Sequence, residues 1–214
     1  MDISRRDRWL RLAPGSVSSA AKVPLDDEAL IEAVVSGDTR HAGELHDRLV
    51  RVVDGTLQRL LGPSPDIDDL VQATFEQLVV SLVRGRFARG CSLSTWASSV
   101  AAHVAFNAMR ARRRARRVFD PASLLDVSEP RASGNPEREV AVREQIAAVQ
   151  VHLAAMSPER AMALLLHDVL GHDLVEMAAM LKISATAAQS RLVRGRRELL
   201  RKLGEEDGSK GTRP

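Results

Sequence analysis

Apolar residues along most of this chain recur at spacings of three and four, the period of one face of a helix. Leu30, Ile31, Val34 and Val35 mark one side of a short helix that starts after Asp26, a good N-cap, and stops at Gly37. Leu45, Leu49, Val52, Val53, Leu57, Leu60 and Leu61 define a longer second helix, ended by Gly62-Pro63-Ser64-Pro65, where proline removes a backbone donor. Ile67, Leu70, Val71, Thr74, Phe75, Leu78 and Leu82 form the core face of a third helix over 66–83. A fourth is predicted over 93–117. Pro121, Pro130 and Gly134 then interrupt the pattern before helices resume on Val140, Ile146, Val149 and Leu153. Ser157-Pro158 opens the next, an N-cap with proline at the first helical position, and it carries Met162, Leu164, Leu165, Leu166 and Val169 to a stop at Gly171. Asp173 and Glu176 have the spacing of a capping box for a short helix over 174–181. Lys182-Ile183-Ser184 turns the chain into a final helix from Ala185 to about Leu203. Pro and Gly concentrate in a few places instead of recurring every ten residues or so, and the prediction is an all-α protein.

Composition narrows this further. At 214 residues the chain can form one sizeable domain or two small ones. Aromatics are 3% of the residues and tyrosine is absent, so the cores must be aliphatic and alanine-rich, as in helical bundles. The single cysteine, Cys91, has no internal partner, and a reducing cytoplasm is the natural compartment. Arginines beside Cys91 could lower its pKa and fit it for redox chemistry, but the residue reads as a passive small one. Arg5-Arg6 faintly resembles a twin-arginine export signal, but no apolar segment follows it, and no stretch approaches the roughly twenty apolar residues of a membrane span. His41 and His46, or His167 and His172, lack the spacing of ligands on one helix face, and no His completes a site with Asp66, Asp68 and Asp69. No metal and no cofactor is expected.

Charge changes the picture more. The formal net charge of +3 hides two blocks of opposite sign. Residues 26–76 carry twelve acids against four arginines, whereas 77–119 hold nine arginines and no acid across forty-three residues. Such asymmetry points to two different partners, one of them anionic. On the fourth helix, Ala97, Ala101, Val104, Ala105 and Ala108 form a small-residue stripe suited to close packing. Trp96, Val100, His103, Asn107, Arg110 and Arg114 fall on a second line, about 120° away at about 100° per residue. An aromatic ring, hydrogen-bonding groups and then guanidinium groups suit single-stranded nucleic acid, whose bases stack on rings while its backbone follows positive charge. Trp96 could equally plug a core. On the third helix, Asp69, Gln72 and Glu76 at i, i+3 and i+7 make an acidic and amide ridge able to meet a basic surface. The helices over 174–181 and 185–203 spell a helix-turn-helix, with Ala178 at the crossing and Ile183 and Leu192 in its core. Thr186, Gln189, Ser190, Val193 and Arg197 share the outward face of the second helix, flanked by Arg191, Arg194 and Arg196. Gln and Arg can read base edges in a major groove, while further arginines hold phosphates.

A unit for single strands joined to a unit for a duplex groove resembles a bacterial RNA polymerase sigma factor of the sigma-70 family, in its compact extracytoplasmic-function class. Ser36-Gly37-Asp38 is similar to the opening of region two, and Asp68-Asp69-Leu70-Val71-Gln72-Ala73-Thr74-Phe75 to its core-binding helix. Phe87-Ala88-Arg89-Gly90 through Ser94-Thr95-Trp96 resembles the segment that melts and reads the minus-ten element. Asn135-Pro136-Glu137 resembles the entry into region four, and Ile183-Ser184, Ser190-Arg191-Leu192 and Arg194-Gly195-Arg196-Arg197 its minus-thirty-five recognition helix. The resemblance implies region two over 25–117 and region four over 137–204; residues 1–24, without periodicity, read as a mobile extension, 118–136, with Pro and Gly, as a flexible linker, and 205–214 as a disordered tail. It implies core RNA polymerase, through β′ and β, promoter DNA and an anti-sigma factor as partners, with no membrane insertion. Asp69, Gln72, Phe75 and Glu76 would face polymerase. Arg89, Trp96, His103, Asn107, Arg110, Arg113 and Arg114 would face the minus-ten DNA, and Thr186, Gln189, Ser190, Val193, Arg194 and Arg197 the minus-thirty-five DNA. Two departures bear on specificity. His103 stands where the family usually has Asn, and Ala187-Ala188-Gln189 replaces the usual Thr-Val-Lys or Thr-Val-Arg. A free-standing helix-turn-helix regulator is the alternative, and it leaves the acid-free helix without a role. An enzyme is not expected, because no nucleophile with a base and no complete metal set is present.

Overall fold

The computed structural model describes residues 25–87, 89–119 and 136–210, and for 39, 117–119, 136–144 and 205–210 the backbone alone. The expected extension over 1–24, most of the linker over 118–136 and the last residues of the tail, 211–214, lie outside the described residues. Eight α-helices and no strand occur among the described residues: α1 (Asp27–Ser36), α2 (Ala42–Leu61), α3 (Ile67–Val83), α4 (Leu93–Phe119), α5 (Pro136–Ala155), α6 (Pro158–Leu164), α7 (Leu174–Leu181) and α8 (Ala185–Lys210).

Local chemistry sets several of these boundaries. Asp26 Oδ1 accepts from the Ala29 N–H at 2.8 Å, satisfying one orphan donor of α1, and Gly37 leaves the helix in the left-handed conformation at φ 84°. Asp173 caps α7 through bonds from the N–H groups of Val175 and Glu176, both 2.8 Å, and Glu176 accepts in return from the Asp173 N–H at 3.2 Å. Other expected caps differ. Ser157 has extended backbone before Pro158, yet its hydroxyl caps nothing. Asp66, at the start of α3, makes no side-chain cap either; its carboxylate pairs with Arg112 of α4, Nη2–Oδ2 3.0 Å. The last helix runs to Lys210, so 205–210 of the expected tail are helical backbone; Gly204 costs a helix about 1 kcal/mol relative to Ala but does not by itself end one.

Leu30, Val34, Leu45, Leu49, Leu57, Leu78 and Leu93 are fully buried where α1 to α4 meet, and Met162, Leu165, Leu166, Met177 and Leu192 where α6 to α8 meet. Arg48 ties α2 to the start of α1, bonding Asp27 at 3.0 Å and Glu44 at 2.9 Å. The two groups of helices dock. Helix α4 lies against α5, and also touches α6 and α7. Gln150 donates to the Leu60 carbonyl at 2.9 Å, and His172 Nε2 lies 2.8 Å from Ser98 Oγ. A Cβ on Gly90, in the loop before α4, would stand 3.0 Å from the Cβ of Ala179 on α7.

Between α6 and Gly171 the helix widens into a π-turn over Leu165–Val169, where the Leu170 N–H reaches the Leu165 carbonyl at 3.0 Å. This turn presents Asp168 to Arg196 of α8, which donates from Nε at 3.0 Å and also from Nη2. The Arg196 hydrogen bond, with help from His167, holds the Asp168 carboxyl below its ordinary pKa despite some burial. The depressed folded-state pKa makes the pair stabilising above the ordinary carboxylate value of about 3.9, and the contribution is lost as pH falls through the lower, folded value. Asp168→Asn is therefore expected to destabilise the protein at neutral pH and to close that gap on acidification. Urea unfolding between neutral pH and the acid limb checks this, and a gap independent of pH would contradict it.

Candidate polymerase and nucleic-acid interfaces

On α3 the 3.6-residue period turns Thr74, Leu78 and Leu82 inward and leaves Asp69, Gln72 and Glu76 exposed in a row. Thr74 is fully buried without cost because its hydroxyl donates to the Leu70 carbonyl at 2.7 Å. Phe75 is half-buried at the edge of this ridge, with its ring 4.8 Å from that of His46 on α2. Three exposed polar side chains thus stand beside a supported aromatic ring.

Helix α4 starts at Ser92, whose hydroxyl accepts from the Thr95 N–H at 3.0 Å. The line expected to face nucleic acid divides into two parts. Trp96 is only 7% exposed, its ring centroid 5.1 Å from that of Phe87, and Val100 beneath it is buried as well. His103, Asn107 and Arg114 are exposed. His103 is open to solvent on one side, but the protein crowding its other side pushes its pKa down, leaving a neutral imidazole that both donates and accepts at neutral pH. The arginines also take different partners. Arg110 lies 5.8 Å over the Phe106 ring, a cation–π distance. Arg112 donates to Ser64 Oγ at 2.7 Å as well as pairing with Asp66, which locks α4 to the turn before α3. Arg113 is half-buried where α4 faces α5, in a small cleft it shares with Arg112, Arg116 and Gln150. Arg89 pairs with Glu28 of α1 from a left-handed backbone at φ 53°. Cys91 fits the reading as a passive residue, since burial, reinforced by Glu176 of α7, pushes its thiol up and makes it less reactive.

In the helix-turn-helix, Lys182 takes the left-handed conformation at φ 54° to turn the chain. Ser184 then starts α8 by accepting from the Ala187 N–H at 3.2 Å. Ala188 and Leu192 are buried against α7, while Thr186, Gln189, Val193, Arg194 and Arg197 are exposed and Ser190 is half-exposed. Among the described residues, no three or more His, Cys, Asp or Glu side chains gather where they could hold a metal, and no helix is long and apolar enough to cross a membrane.

Residues 45–115 match the family described as Sigma-70 region 2, and residues 146–199 match Sigma-70, region 4. RNA polymerase sigma factor CarQ of Myxococcus xanthus is 32% identical over 155 residues, covering 72% of this chain and 83% of the relative. The chain belongs to the sigma-70 family, in its extracytoplasmic-function class. RNA polymerase sigma factor NccH of Alcaligenes xylosoxydans xylosoxydans is 29% identical over 180 residues, covering 82% of this chain and 94% of the relative. Among solved structures, CnrH in complex with the cytosolic domain of CnrY superposes with a TM-score of 0.48 at 22% identity, over 84% of this chain and 97% of that one. The sigma factor RpoE in complex with the anti-sigma factor NepR from Bartonella quintana gives 0.45 at 20%, over 75% and 97%.

This sigma factor directs promoter-specific transcription initiation, with core RNA polymerase and promoter DNA as its partners. Of its departures in the recognition helix, Ala188 is a packing residue and Gln189 is the one that faces fully outward. Sequence reasoning missed Arg112 as a structural anchor, because its partners lie 46 and 48 residues away. It also missed the contact of Ser98 with His172, which joins the two matched regions across 74 residues.

Proposed function

We propose that this sigma factor uses residues 25–117 to bind polymerase and read the minus-ten element, and residues 137–204 to read the minus-thirty-five element. The observation that carries this is the separation of exposed faces: an acidic and amide ridge on α3, polar and basic positions on α4, and an outward Gln and Arg face on α8. Asp69, Gln72, Phe75 and Glu76 meet the β′ coiled coil. His103, Asn107 and Arg114 meet the minus-ten strand directly, with Arg89, Arg110 and Arg113 around them. Trp96 acts beneath this surface as the packing post that holds the loop and the first turns of α4 in place. On α8, Thr186, Gln189, Ser190 and Val193 read bases while Arg194 and Arg197 hold phosphates. The protein works in the cytoplasm, performs no chemistry of its own, and is held by an anti-sigma factor, as is common in its class.

The test is run-off transcription from fragmented genomic DNA of the source organism by purified core polymerase, with and without this protein. Specific transcripts only in its presence support the reading. A protein that shifts duplex DNA alone yet neither comigrates with core nor starts transcripts would instead fit a free-standing regulator. His103→Asn is expected to change base preference within the minus-ten element in a randomised-promoter assay, because a neutral imidazole presents its donor and acceptor in a different geometry from an amide. An unchanged preference would take His103 out of the readout.

A further inference from the structure

Helix α8 crosses α6 at Gly195, and the crossing is closer than most side chains allow. Gly195 is buried, and a Cβ there would stand 3.1 Å from the Arg160 carbonyl and 3.2 Å from Leu164 Cγ. This approach brings the first turn of α6, which carries Arg160, alongside the part of α8 beyond its base-facing residues. The result is an open groove of about 350 Å³ lined by Arg160, Arg194, Arg197, Glu198 and Arg201. Among the described residues, four arginines and one carboxylate line it. That carboxylate is already engaged, because Glu198 Oε2 accepts from Arg160 Nη1 at 2.7 Å, and its side chain is 17% exposed where that of Arg160 is 41% exposed. Glu198 thus fixes Arg160 at the wall of the groove while leaving much of the guanidinium open. Arg194, Arg197 and Arg201 recur at i, i+3 and i+7, which places them along one side of α8. Guanidinium groups gathered at one groove attract an oxyanion, and their planar forks match the geometry of phosphate oxygens.

We propose that the groove between α6 and α8 binds two adjacent phosphate groups, with Arg160 contributing a contact from outside the helix-turn-helix. Arg197 lies eight residues beyond Gln189, about 12 Å further along the helix axis, at the distance where a recognition helix leaves the groove and meets the flanking backbone. Adjacent phosphates are offered by a DNA strand and by free polyphosphate alike. The inference rests on the promoter-binding reading for the first source but not for the second.

The experiment measures the affinity of the holoenzyme, formed from the full chain and core polymerase, for minus-thirty-five duplex DNA across a range of salt. Binding of inorganic tripolyphosphate to the full chain is measured in parallel. For a DNA site, Arg160→Ala is expected to weaken DNA binding roughly tenfold at low salt and to flatten the slope of log K against log salt by about 0.9, while Arg160→Lys restores the slope. Glu198→Ala separates a phosphate site from a purely structural ion pair. A structural pair predicts the same loss in both alanine variants, whereas a phosphate site predicts a slope at least as steep as wild type once the competing carboxylate is gone. A tripolyphosphate affinity reduced tenfold in Arg160→Ala, with an unchanged DNA slope, assigns the groove to free polyphosphate. Neither quantity moving, or equal losses in Arg160→Ala and Glu198→Ala, overturns the proposal while promoter-specific transcription by the same holoenzymes keeps the sigma-factor reading intact. Absence of any promoter-specific transcript from the wild-type holoenzyme would fail that reading separately.

Discussion

Trp96→Ala is expected to destabilise the α1–α4 half of this sigma factor by about 3–5 kcal/mol, the usual cost of removing a buried aromatic side chain from a core that only partly collapses. The ring is 7% exposed, meets Phe87 at 5.1 Å, and sits in the first turn of α4. It therefore supports both the helix and the loop that carries Arg89 and Cys91. Loss of promoter opening in this variant should accompany a lowered unfolding midpoint in urea, and Trp96→Phe should recover most of both, since a smaller ring still fills much of the space. A Trp96→Ala protein that unfolds like wild type but cannot open promoters would show instead that the ring leaves its pocket to stack on a base.

Reversing two charges on the α3 ridge, Asp69→Arg with Glu76→Arg, is expected to weaken binding to core polymerase by roughly 100-fold or more, because like charges set against each other across an interface cost several kcal/mol. Both side chains are exposed, and neither takes part in the packing of Thr74, Leu78 and Leu82 on the inner face of the same helix. Stability should therefore stay near wild type, which distinguishes this variant from the tryptophan one. Affinity for fluorescently labelled core polymerase is the direct measurement. An unchanged value would remove the ridge from the interface, whatever happens to transcription.

How far the sequence could be read depends on the range over which each residue acts. The starts of α1 and α7 were legible because Asp26 and Asp173 bond N–H groups two or three residues away. The pairing of Asp66 with Arg112 was not legible, because the two lie 46 residues apart and no local pattern signals it. The angular arithmetic on α4 separated two lines of residues correctly but could not show that one line changes environment along its length, from buried Trp96 and Val100 to exposed His103 and Asn107. The π-turn after α6 leaves no periodic trace, because five residues are too few to shift an apolar pattern. Arg160 was missed for a further reason. Its role depends on Gly195, and an isolated glycine inside a helix reads from sequence as a mild defect, not as the point where another helix passes within contact distance.

The docking of the two halves has a consequence on the scale of the promoter. Elements named for positions ten and thirty-five lie about 25 base pairs apart, or roughly 85 Å of duplex at 3.4 Å per pair. A compact chain of this length measures only about 45 Å across. While His172 rests 2.8 Å from Ser98, and Ala179 lies against Gly90, the protein is too short to touch both elements at once. On the proposed reading of the two elements, contact with both at once therefore requires the Ser98–His172 and Gly90–Ala179 contacts to open.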